Sequence, residues 1–213
     1  MARTRRVSEE QVTDEALALI DAEGLDSLTM RALGRRLGVE GMALYTYFRS
    51  KSDLLDAVGT RILDALDTEF DRALPWQERI RRGALAWAEM QARHPRAFPL
   101  VYRRGVRTNA VPLLTEELLD ALRSAGFDER GAAVAYQSIV VLIDAALLGR
   151  GDSTDADLHA GWRCGEKALD PATFPRFREV APHAATLSWD EILESGLELL
   201  VSGLEQRLSA GRA

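Results

Sequence analysis

Apolar residues recur at helical spacing along nearly the whole chain, and no stretch alternates with period two for long enough to suggest a sheet. That rhythm predicts an all-α protein. The helix start signals are correspondingly complete. Ser8 precedes the apolar stripe Val12, Ala16, Leu19 and Ile20, Gln11 sits three residues on as a capping-box partner, and Val7 with Val12 can form a hydrophobic staple. Gly24 stands where a left-handed residue would end this helix. Thr29 caps a second, short helix carrying Leu33 and Leu37, and Gly38 supplies its stop. Another short helical stretch follows over 40–48. Ser50, with Asp53 at the third position, then caps a longer helix whose series Leu54, Leu55, Val58, Ile62, Leu66 and Phe70 runs on to Pro75.

Beyond Pro75 the predicted helices lengthen. The span 76–93 carries Ile80, Ala84, Trp87 and Met90 on one face, and Arg93-His94-Pro95 closes it, because proline disfavours α conformation in the residue before it. A helix over 112–124 stops at Gly126, and Asp128 begins an apolar helix over 131–148. The stretch 149–187, rich in Gly, Asp, Pro and Thr, reads as the least regular part of the chain. Ser188 with Glu191, and Leu187 with Ile192, repeat the capping box and staple and open a last helix to about Leu208.

The chain has 213 residues, 46% of them apolar and 28% charged, the balance of a globular protein and not of a disordered or collagen-like one. Its one cysteine, Cys164, rules out an internal disulfide and a thiolate zinc site and points to a reducing cytoplasm. The start MARTRRVSEEQ is basic but turns acidic with no apolar core, so export is not expected. The apolar run over 132–148 is interrupted by Tyr136, Gln137, Ser138 and Asp144 and reads as a buried helix, not a membrane span.

Net charge is −6, which taken alone speaks against a nucleic-acid partner. Its distribution reverses that reading. Between Thr29 and Lys51 the chain places Arg31, Arg35, Arg36, Arg49 and Lys51 against the single acid Glu40, and Arg3, Arg5 and Arg6 precede the first helix. A short basic face on an acidic protein suits localised phosphate contact. The segment TMRALGRRLGVEGMALYTYFRSKSDLL has the layout of a helix-turn-helix, two short helices about a glycine-containing turn, the second of which enters the major groove. Leu33, Leu37, Val39, Leu44 and Phe48 supply an inward face. Gly41, Met42, Tyr45 and Thr46 are left outward, with the low charge suited to base-edge contact. Tyr45, Tyr47 and Phe48 also admit a reading as aromatic core, and Arg35 and Arg36 one as a solvated face.

This segment resembles the tetracycline-repressor (TetR) family of bacterial regulators. The resemblance covers roughly the first 60 residues, in the order basic arm, capped helix, TxRxLxxxLGV, then LYxYFxxKxxLL. It implies an N-terminal three-helix DNA-binding domain at 1–55 and a larger helical ligand-binding and dimerisation domain at 56–213. By the resemblance, Tyr45 contacts a phosphate or base, Lys51 holds a phosphate where a helix N-terminus meets the DNA backbone, and Thr29 and Arg31 do likewise from the start of the second helix. A double-stranded operator, a small-molecule inducer and a second copy of the chain are the implied partners, with no cofactor. The segment starting at Lys51 is expected to carry ligand-driven movement to the DNA-reading helices.

The C-terminal half resembles the family more weakly, through RHPRAFPLVY and the final apolar helices. Candidate ligand residues are Trp87, Met90, His94, Phe98, Tyr102, Tyr136, Gln137 and Asp144, with Phe174 and Phe177 as a lid from the irregular stretch. His94 reads equally as a polar helix terminus. The excess apolar surface of 131–148 and of 189–208, with Leu197 and Leu204 as interface positions, predicts a four-helix dimer contact. Asp152, Asp155, Asp157 and His159 lack the glycine and glutamate of a calcium loop and read as an exposed acidic loop. There is no GxSxG, GxxxxGK[ST] or HExxH, so an enzyme is not expected. The readings in view are a ligand-released repressor, an activator of the same fold, and a small helical carrier or enzyme.

Overall fold

The computed structural model describes residues 7–68, 71–104, 108–150 and 155–210, with side chains at 102–104, 147–150 and 155–157 excepted. Arg3, Arg5, Arg6 and Asp152, and the side chains of Tyr102, Asp155 and Asp157, lie outside the described residues. Among those described, every regular element is a helix, as the spacing predicts. None is long and apolar enough to cross a membrane.

The chain divides into two compact units, residues 1–70 with 85–117, and residues 71–84 with 118–213. In the first, α1 (Glu9–Glu23) opens on the expected reciprocal capping box: Gln11 N donates to Ser8 Oγ at 3.1 Å and Ser8 N to Gln11 Oε1 at 3.0 Å. Gly24 ends it with φ +86° and ψ 165°, a positive-φ extended conformation instead of the expected left-handed helical one. Thr29 caps α2 (Met30–Leu37), and Gly38 closes it in the left-handed region.

The stretch predicted as helical over 40–48 is a six-residue 3-10 helix, Gly41–Thr46. Its contact with α2 runs backbone to backbone. A Cβ on Gly34 would stand 2.8 Å from both Gly41 N and Val39 O, and one on Gly41 would stand 2.9 Å from Met30 O. In a 3-10 helix residues three apart line up. Gly41 and Leu44 therefore share the inward ridge, with Gly41 against α2 and Leu44 fully buried.

Ser50 caps α3 (Lys51–Leu63), which stops well short of Pro75. After Leu63 the chain tightens into i to i+3 bonds, Ala65 N to Ile62 O and Leu66 N to Leu63 O, burying Leu66 in a turn. Apolar spacing cannot tell this turn from a continuing helix, since both bury the same leucine. Asp64, at the break, accepts a 2.6 Å hydrogen bond from Thr108 Oγ1. The expected connecting helix is thus a 13-residue helix packed on α1. The same unit holds the second half of α4 (Trp76–Arg93), then α5 (Pro99–Arg104) and the start of α6 (Ala110–Ala125).

In the second unit Arg79, whose side chain is 4% exposed, donates to Asp120 at 2.7 Å, and Trp76 meets Phe127 edge to face. Next come α7 (Glu129–Arg150), α8 (Asp155–Ala168), α9 (Pro175–Ala184) and α10 (Trp189–Ala210). Two helices therefore occupy most of the stretch predicted as irregular. Gly165 is not a breaker there. It is the place where Phe177 comes against α8, its ring stacked on Trp162 at 5.1 Å, and a Cβ would fall 2.5 Å from that ring. His159, expected in an exposed loop, is a buried residue of α8 whose Nε2 donates to Leu187 O. Ser188 and Glu191 form the predicted capping box. Gly196 admits Leu142 between α7 and α10, whereas a Cβ on Gly203 would meet nothing. Leu197 and Leu204, expected at a dimer interface, are buried in the chain's own core, because α10 turns that face toward its own unit.

Replacing an interior helical glycine by alanine ordinarily stabilises by about 1 kcal/mol. At Gly34 the new methyl group would strike backbone, which cannot yield as a side chain can, so Gly34→Ala should lower the thermal midpoint. Gly161→Ala, in open space within α8, should raise it; circular-dichroism melts compare the two, and a raised midpoint for Gly34→Ala would contradict the close approach. A second expectation concerns acid. The hydrogen bond from Arg79 holds the Asp120 carboxyl below the usual carboxylate range. Its contribution to stability is present above the unfolded value, about 3.9, and is lost as pH falls through the lower folded value. Asp120→Asn should be less stable than the parent at neutral pH, and the gap should close on acidification; a constant gap in melts down to about pH 2 would assign the effect to something other than this ionisation.

Candidate functional site

The basic segment is assembled around α1. Arg36 of α2 pairs with Glu15 and, at 3.5 Å, with Glu23, both of α1. Arg61 of α3 donates to Asp14 at 2.7 Å, a bond that holds its guanidinium above the ordinary arginine value. Tyr47 Oη donates to Val7 O at 2.6 Å and ties the 3-10 helix to the residue just ahead of α1. These links take Arg36 out of the free basic face. Arg31, Arg35, Arg49 and Lys51 remain, making no ion pair among the described residues.

The outer ridge of the 3-10 helix presents Met42 and Tyr45. Met42 is 74% and Tyr45 43% exposed, three residues apart and therefore aligned, beside a fully buried Leu44. Tyr45 is thus not core. Thr46 is exposed, and its hydroxyl donates to Ala43 O at 2.7 Å. Gly41, expected to face outward, is half-buried against the first turn of α2, where only a missing side chain lets the two backbones meet. Thr29 is exposed, its hydroxyl accepting from Ala32 N, and Arg31 lies exposed in the first turn of α2. Lys51 begins α3, next to Ser50, whose hydroxyl accepts from Asp53 N. Two helix N-termini, at α2 and α3, therefore bring positive dipole ends and amide donors to the same segment as the free cations.

Tyr47, which also reads as aromatic core, is half-buried, and its hydroxyl bond to Val7 was not legible in the spacing. Gly34 was passed over, since a glycine inside a short helix looks like tolerance.

The predicted ligand residues fall into two groups. Trp87, Met90, His94 and Phe98 belong to the first unit: Met90 and Phe98 are buried, Trp87 meets Phe98 edge to face at 5.9 Å, and His94 Nδ1 lies 2.7 Å from Asp21 Oδ2. Tyr136, Gln137, Asp144, Phe174 and Phe177 belong to the second. There Tyr136 and Asp144 are half-buried, Gln137 is exposed, Phe174 precedes α9 and is 45% exposed, and Phe177 is committed to Trp162. Phe177 is accordingly part of a packed helix pair and not of a loop lid. Among the described residues no group of histidine, cysteine, aspartate and glutamate could hold a metal ion.

Known proteins share both halves of this arrangement. Residues 12–58 match the family described as bacterial regulatory proteins of the tetR family, and residues 72–208 match the tetracyclin repressor-like C-terminal domain. The tetracycline repressor protein class A from transposon 1721 of Escherichia coli is 32% identical over 208 residues, covering 90% of this chain and 88% of that protein. The class D repressor of Escherichia coli is 28% identical and covers 96% and 92%. Among solved structures, apo ActR from Streptomyces coelicolor superposes with a TM-score of 0.78 over 98% of this chain and all of that one, at 23% identity, a likeness of fold. ActR in complex with actinorhodin gives 0.76 at 25% identity, covering 96% of each chain. The helix-turn-helix geometry, the paired matches across both halves and the full-length relatives place the chain in the TetR family of DNA-binding transcriptional regulators.

Proposed function

We propose that the chain is a ligand-released repressor that binds a palindromic operator as a homodimer, with residues 1–55 reading DNA and 56–213 binding a small molecule and dimerising. The observation that carries this reading is the aligned, exposed pair Met42 and Tyr45, held on a Leu44 anchor and flanked by the unpaired cations Arg31, Arg35, Arg49 and Lys51. Uncharged side chains at the groove discriminate bases, and cations around them supply affinity. The relatives named as repressors favour repression over activation. The protein works in the cytoplasm by binding and not by catalysis. Its inducer is a small organic molecule, by analogy with ActR and actinorhodin, and the ligand-facing candidates are Trp87 at the edge of Phe98, with Tyr136 and Asp144 on α7.

Dimerisation falls to the outward faces of α7 and α10, in place of Leu197 and Leu204. Val134 and Val141 on α7 are 44% and 64% exposed, with Ala133, Gln137 and Ala145 beside them, and Leu199 on α10 is 75% exposed. A second copy would cover this apolar stripe by two-fold symmetry.

Selecting bound duplexes from a random pool should recover one palindrome; enrichment of no sequence would defeat the reading. On that operator Lys51→Ala removes two phosphate contacts from a dimer and should flatten the slope of log affinity against log salt by about 1.8, equally for random DNA. Met42→Ala should alter sequence preference and leave the slope alone. An unchanged slope would take Lys51 out of the interface. For the dimer, Val141→Glu with Leu199→Glu should give a folded monomer by light scattering, and a helical dimer of unchanged mass would assign the contact elsewhere.

A further inference from the structure

We propose that His94 and Arg96 are positioning residues for DNA binding: from the turn after α4 they grip the C-terminal turn of α1, the helix on which every DNA-reading element hangs. The last carbonyls of any helix lack intrahelical partners, and cations are favoured there. The last turn of α1 contains no basic residue. Its need is met from more than seventy residues away. Arg96 Nη1 donates to Ala22 O at 2.5 Å and to Asp21 O at 3.3 Å, and His94 Nδ1 donates to Asp21 Oδ2 at 2.7 Å.

Both ends of this connection are stiff. His94 N donates to Gln91 O, and His94 O accepts from Ala97 N at 3.1 Å and Phe98 N at 2.8 Å, so residues 94–98 form a closed turn in which Ala97 and Phe98 are buried. Phe98 in turn meets Trp87 edge to face. On the other side, α1 holds α2 through Arg36 on Glu15 and Glu23 and α3 through Arg61 on Asp14, while Tyr47 secures the 3-10 helix to Val7. Asp21 Oδ1 is buried with no hydrogen-bond partner, so the carboxylate leans on His94 for its hydrogen bonding. Losing that bond would leave the Asp21 side chain with no hydrogen-bond partner among the described residues. The connection therefore favours two discrete arrangements, made or broken. Displacement of the Trp87 and Phe98 pair acts on a turn only four residues from His94, and the made state is the one in which Met42, Tyr45 and Lys51 are presented for binding.

The inference rests on the DNA-binding reading above, and the test separates the two. The full-length protein and its Arg96→Ala, Arg96→Lys and His94→Ala variants are titrated over a salt series with the duplex recovered by selection, alongside thermal melts and amide hydrogen exchange. Arg96→Ala, which loses the two bonds to Asp21 O and Ala22 O, and His94→Ala, which loses the one to Asp21 Oδ2, should each weaken binding by about tenfold without changing the salt slope. Exchange should quicken at residues 20–24 and stay slow at Ile62 and Leu63, and Arg96→Lys should recover part of the affinity because an ammonium can still donate to the carbonyls. Unchanged affinity despite quickened exchange would overturn the proposal, leaving a local tie with no bearing on DNA. A slope flattened in Arg96→Ala would overturn it in another way, making Arg96 a phosphate contact. A parent protein that binds no duplex would remove the DNA reading and the proposal together.

Discussion

The contact between α2 and the Gly41–Thr46 helix is made by main chain against main chain, and the rest of the DNA-reading end depends on it. With glycine at 34 and 41 no side chain separates the two elements. At that approach backbone meets backbone, which yields less than side chains do, so the close contact helps to set their angle. Met42 and Tyr45 stand outward because Gly41 and Leu44 are drawn inward, and the 3-10 winding aligns each pair along its own ridge.

Around that contact α1 serves as a frame. Its apolar face supplies Val12, Ala16, Leu19 and Ile20 to the core, while its polar face takes up Arg36 and Arg61. Exposed ion pairs of this kind contribute little stability individually. Their consequence is one of orientation and inventory: they fix which cations are spent on the protein itself and which, namely Arg31, Arg35, Arg49 and Lys51, make no ion pair among the described residues. A net charge of −6 is thereby compatible with DNA binding, since the field felt by a phosphate at about one Debye length, roughly 8 Å, is that of the nearby cations and not of the whole chain.

The second unit shows the same economy with glycine put to different uses. Gly165 and Gly196 sit under Phe177 and Leu142, where a missing Cβ lets another side chain in, while Gly203 faces open space. Three glycines in helices of similar composition thus do different work, and nothing local to any of them says which. That is why the stretch 149–187, with its Gly, Pro and Asp, read as irregular and yet forms α8 and α9: the helix penalty of Gly165, about 1 kcal/mol, is offset by a stacked Trp162 and Phe177 that only folding brings together.

What the amino-acid order determined by itself was whatever rests on neighbours within four residues. The capping boxes at Ser8 and Ser188, the cap at Thr29, the stop at Gly38 and the closure at His94-Pro95 are all of this kind, as is the motif LYTYFRSKSDLL that marks the family. Those bonds form from residues already adjacent, so their chemistry is written in the local spacing. Tertiary structure decided the rest. It turned Leu197 and Leu204 inward and left Val141 and Leu199 bare, ended α3 at Leu63, and gave Arg36, Arg61 and Arg96 partners on α1. Apolar periodicity tells which residues share a helix face, but burial depends on what lies opposite that face, and an arginine's partner depends on which carboxylate or carbonyl the fold brings within reach.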